Sequence, residues 1–170
     1  GVALFADIMG LGKQTKAWGQ RIAEELGYLA LAADVYGGGA SYDNGRVYIT
    51  TGMGEVAALD AKNGAVLWKV KPAGPLRGSP TVAYNSVFVM TIDNQLWSLN
   101  AADGAPLWNE AASSGQTGVF GVAAPAAGQG TVIAGYSTGE LIAYRYENGR
   151  QLWSDALART SLSTSVGVLT

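Results

Sequence analysis

Residues 47–68 read VYITTGMGEVAALDAKNGAVLW, and the chain writes this stretch three times. With Trp68, Trp108 and Trp153 in one column, Val47, Val87 and Val132 align, as do Leu59, Leu99 and Tyr144, and Gly64, Gly104 and Gly149. The tryptophans follow one another at intervals of 40 and 45 residues. A period of that length is the signature of a propeller blade or a similar repeat unit. Repeats of this kind bind more often than they catalyse.

Working outward, the middle unit divides into four strands joined by turns. Ser79 to Tyr84 reads as the inner strand with a turn at Asn85-Ser86, and Val87 to Thr91 as the second with a turn at Asp93-Asn94. Gln95 to Asn100 is the third, Asp103-Gly104 turns, and Pro106 to Asn109 is a short outer strand. Asn44-Gly45, Asn63-Gly64, Asp103-Gly104 and Asn148-Gly149 are hairpin signals, because both central residues of such a turn take positive φ. The predicted blades cover about 39–70, 79–110 and 119–155, and residues 160–170 read as the lead-in to a fourth. The longer second interval places extra residues in Ala111 to Gly121, a loop on one face.

Residues 1–38 stand outside the repeat. Val2 to Ile8 is a short apolar run, and Lys13 to Leu26 carries Trp18, Ile22 and Leu26 on one helical face. Gly27 sits at the position of a helix C-cap, and Tyr28 to Tyr36 is a second strand. Strand, helix, strand predicts a βαβ unit with parallel strands. Gly37-Gly38-Gly39 marks the joint.

Composition narrows the chemistry. The 170 residues are 48% hydrophobic and 14% charged, which suits one core-forming domain. A net charge of −2 gives no footprint for nucleic acid. There is neither cysteine nor histidine, so disulfides, Cys/His zinc sites and histidine triads are excluded. No signal peptide is read at the start of the sequence given. At Gly10-Leu11-Gly12-Lys13 a P-loop would need Gly in place of Asp7 and Ser or Thr in place of Gln14. A calcium loop from Asp60 meets Lys62 and Gly64 where ligands belong.

The motif A-L-D-x-x-x-G-x-x-x-W at Ala58–Trp68 returns at Ser98–Trp108 and, weakened, at Ala143–Trp153. The glycine makes the turn, and the tryptophan lays a ring of roughly 150–250 Å² over the neighbouring blade. We therefore read Trp68, Trp108, Trp153, Gly64, Gly104 and Gly149 as structural. The pattern resembles the tryptophan-docking motif of pyrroloquinoline-quinone-type propellers. Within them, residues 37–170 are similar to the BamB type, the periplasmic propeller lipoproteins of outer-membrane β-barrel assembly. GGGASYDNGRVY, LDAKNGAVLW, GPLRGSPTVAYNSVFV, LNAADGAPLW, GVFGVAAPAAGQGTV and ENGRQLW carry this likeness.

The resemblance implies a mainly β fold, three four-stranded antiparallel blades preceded by the βαβ unit. It also implies a non-enzymatic scaffold on the periplasmic face of the outer membrane, docking on the barrel-forming subunit. Partner contacts in that family lie on inter-blade loops with a Leu-Arg-Gly element. Leu76-Arg77-Gly78 matches it, with Leu76 expected as an exposed anchor. Val119-Phe120-Gly121 holds the same place one blade later without the arginine. No cofactor is expected, since quinone enzymes of the wider family surround theirs with a full ring of blades.

GVALFADIMGL and RIAEELGYLALAADVYGGG resemble instead the start of dienelactone hydrolases, in which Asp7 would lie near a nucleophile. No G-x-S-x-G follows, so catalytic residues are expected to be none. The alternatives are a hydrolase-like fragment, or two unrelated pieces fused without evolved function. Three blades leave two end flanks, which predicts either a homo-oligomer completing the ring or packing of the βαβ unit on one end.

Overall fold

The computed structural model describes residues 2–7, 29–34, 39–72, 74–76, 78–112 and 123–156. Strands β1 (Val2–Asp7) and β2 (Leu29–Asp34) pair in parallel, Val2 opposite Leu29 and Asp7 opposite Asp34. The helix predicted over Lys13–Leu26, and the fourth-blade lead-in at 160–170, lie outside the described residues.

The repeat forms three four-stranded antiparallel sheets, each a meander in chain order. The first holds β3 (Ala40–Asp43), β4 (Arg46–Thr50), β5 (Val56–Asp60) and β6 (Val66–Val70). The second holds β7 (Thr81–Ala83), β8 (Ser86–Met90), β9 (Gln95–Asn100) and β10 (Pro106–Ala111). The third holds β11 (Ala126–Gly128), β12 (Thr131–Gly135), β13 (Glu140–Arg145) and β14 (Gln151–Ala156). These are three blades of a partial propeller.

The middle blade shows why its second strand is apolar without alternation. Every residue of Ser86–Met90 is buried, because this blade has a neighbour on each flank. Val87, Val89 and Leu99 meet Tyr48, Val56 and Ala58 of the first blade. Phe88, Met90 and Leu96 meet Val132, Ala134, Ile142 and Tyr144 of the third. Successive residues of a strand point to opposite faces, so one strand feeds two cores.

The turns depart from the sequence expectation in an instructive way. Asn44-Gly45 takes positive φ at both residues, as predicted. In the second blade the turn is Tyr84-Asn85 rather than Asn85-Ser86, which shifts β8 back to begin at Ser86. Tyr84 holds its left-handed φ of 54° with its ring against Tyr146, at 4.4 Å between centroids. Its hydroxyl also accepts from Gly130 N at 2.7 Å.

At Asn63-Gly64, Asp103-Gly104 and Asn148-Gly149 only the glycine is left-handed. The loop there is longer, closed from Gly64 N to Asp60 O, Gly104 N to Asn100 O and Gly149 N to Arg145 O. Asn63, Asp103 and Asn148 instead accept side-chain bonds from the amides of Ala65, Ala105 and Arg150. An Asx turn satisfies these residues in the right-handed region, and that outweighs the dipeptide preference for a two-residue hairpin.

The end flanks also correct an expectation. Val47, Ala57 and Leu59 point away from the second blade yet are buried, so the far flank of the first blade is not open as predicted. The far flank of the third blade is open at Trp153, which is 47% exposed.

Candidate docking face

Up-and-down strands place alternate connections at opposite ends of a blade. One end carries the β3–β4 and β5–β6 turns and their counterparts. The other carries the β4–β5, β8–β9 and β12–β13 turns together with the connections between blades.

The first end is a structural lock. Trp68 on β6 donates from Nε1 to Ala101 O at 3.0 Å and covers Gly104, where a Cβ would fall 2.7 Å from the ring. Trp108 on β10 repeats this on the third blade, donating to Tyr146 O at 2.7 Å over Gly149. The outer-strand tryptophan of each blade therefore seals the next, as the repeat motif predicts. Trp153 has the same place on β14 and lines an open groove with Ala126, Gly128, Thr131 and Ile133. Gly64 makes the same turn in the first blade, with φ of 73°. Arg46 adds a staple, its guanidinium reaching Ala101 O at 2.8 Å.

The second end is richer in side-chain bonds between blades. Asn94, left-handed at the β8–β9 turn, donates from Nδ2 to Ser137 Oγ at 2.7 Å and accepts from Ser137 N at 3.1 Å. Thr81 donates its hydroxyl to Pro125 O. Beneath these, the Tyr136 and Tyr144 hydroxyls meet at 2.7 Å in the core between the second and third blades. Burial raises both above the usual tyrosine range, and the bond to Tyr144 adds to the rise at Tyr136, so both stay neutral at physiological pH. Met53, at the tip of the β4–β5 turn, is 72% exposed, and Ile92 at the β8–β9 turn is partly exposed.

Leu76 lies at this end, but not as the exposed anchor expected of it. It is fully buried, packed in the core between the first and second blades, and its backbone bridges Thr91. A leucine flanked by Pro75 and Arg77 reads as a surface loop residue. What sequence reasoning missed is the missing neighbour that a short loop crossing between blades needs. Arg77, Val119 and Phe120 lie outside the described residues, as do the side chains of residues 1–38 including Asp7. Among the described residues no group of acidic side chains is placed to hold a metal ion. None of their helices is long and apolar enough to cross a membrane, which says nothing about spanning strands.

With this geometry in view, the comparisons with known proteins are direct. Residues 10–169 match the family described as outer membrane protein assembly factor BamB. The chain belongs to the BamB family. It is 28% identical over 98% of its length to BamB of Yersinia pestis, and 30% identical over 97% to BamB of Escherichia coli K12. It spans 44% of the length of each.

The crystal structure of BamB from Moraxella catarrhalis superposes with a TM-score of 0.69 at 27% identity, covering 75% of this chain and 40% of that one. Quinohemoprotein alcohol dehydrogenase from Comamonas testosteroni matches at 0.59 with 24% identity, over 69% of this chain and 20% of that one. That likeness is one of fold alone. The family match runs across Gly37–Gly39. The dienelactone-hydrolase resemblance, and with it the fusion, finds no support among these relatives.

Proposed function

We propose that the chain is a non-enzymatic protein-interaction module of outer-membrane protein assembly, acting without a cofactor on the periplasmic face of that membrane. The observation that carries this reading is the family match along residues 10–169. Its partner is the barrel-forming subunit, met by the end of the blades that carries the inter-blade connections. The contact residues we assign there are Arg77 with Val119 and Phe120 on the next connection, the buried Leu76 supporting rather than touching the partner. Immobilised chain, titrated with the purified barrel-forming subunit in detergent, tests this by interferometry. Saturable binding that Arg77→Ala weakens by about tenfold, the scale of a lost charge-assisted contact, is the expected result. Binding unaffected by changes at all three positions would move the interface elsewhere.

A second reading concerns the exposed Trp153. A blade flank of this type is covered in the two interfaces already described, and we assign its cover here to a further blade, supplied in solution by a second copy.

A further inference from the structure

We infer that Thr50 and Leu76 are positioning residues that hold the Pro75–Gly78 connection in a single conformation, so that it presents a preformed docking element to an acidic side chain of the partner. This rests on the reading above and deepens it. The connection leaves β6 and enters β7, and within four residues it is tied to two blades. On one side of position 77, Leu76 is a fully buried plug in the core between the first and second blades, and bridges Thr91. Just before it, the Pro75 carbonyl accepts from Ile92 N at 3.0 Å. On the other side, the Gly78 carbonyl accepts from the Thr50 hydroxyl at 2.8 Å.

Thr50 belongs to the first blade, is itself buried, and accepts from Gly39 N at 2.9 Å. The second blade thus holds the chain before position 77 and the first blade holds it after. One residue between two fixed backbone points loses little conformational freedom when it meets a ligand, and such preorganisation raises affinity without a new contact. The residue there is Arg77, whose guanidinium chemistry selects a carboxylate.

The test uses the same interferometry together with amide exchange on the free chain. Thr50→Val keeps the shape and removes the hydroxyl. We expect faster exchange around Gly78 and binding weaker by about fivefold, the scale of one hydrogen bond, while Thr50→Ser restores both. Leu76→Met, which keeps the volume but loosens the plug, moves both readouts the same way should Thr50→Val fail to fold. Arg77→Ala weakens binding with exchange unchanged. Wild-type affinity in Thr50→Val or Leu76→Met with exchange accelerated overturns the inference while leaving the partner reading intact. Absence of binding by the unaltered chain overturns the reading itself.

Discussion

Ser98 sits at the centre of the second blade, fully buried, and its hydroxyl has no hydrogen-bond partner. The repeat places Ala58 and Ala143 at the equivalent positions of the other blades, both fully buried. An unpaired buried hydroxyl costs about 1–3 kcal/mol, and an alanine of nearly the same shape does not carry that cost. Ser98→Ala is therefore expected to stabilise the chain by about 1 kcal/mol, read as a higher urea midpoint with an unchanged slope. A lower midpoint would mean that the hydroxyl is satisfied. Residues also mark where sequence reading stops. Trp68 and Trp108 were legible because their spacing repeats, whereas the burial of Leu76 depends on two blades closing over one loop. No local pattern encodes that closure.

At the scale of the element, the five-residue turn and the tryptophan it receives work as one unit. Gly104 is left-handed at 77°, and a Cβ there would overlap the Trp68 ring. Gly104→Ala thus combines backbone strain with displacement of a docked indole, and should cost about 2–4 kcal/mol. Urea denaturation checks this, and Trp68 fluorescence should shift to the red as the ring meets water. Gly45 makes a useful control, since a Cβ there meets nothing within 4 Å and only the backbone strain applies. The strands of each blade were readable from alternation and turn residues. The type of turn was not, because Asn63-Gly64 and Asn44-Gly45 look identical as dipeptides. What separates them is the Asx bond each loop makes, which depends on the carbonyl and amide groups around it.

For the molecule as a whole, the two flanks differ. The outer side of the first blade is buried, while Trp153 on the third is half exposed. If a second copy covers that flank, light scattering coupled to size exclusion should show mass above 17.5 kDa. Trp153→Ser should then return the monomer with its circular dichroism unchanged. A folded monomer in the unaltered chain would remove the reading of self-association. The repeat count and the blade architecture were legible at this scale, and so was the family. Which flank is covered was not, since it depends on segments far apart in sequence coming together.

The seal between blades runs one way: an indole from each sheet rests on the glycine turn of the sheet that follows. A row of such units has a leading and a trailing end, like links that couple hook to eye. Duplicating one unit of about forty residues therefore inserts a ready-made joint at both of its borders. Such chains can lengthen in whole units without inventing a contact, and the loops on the opposite end are left free to diverge.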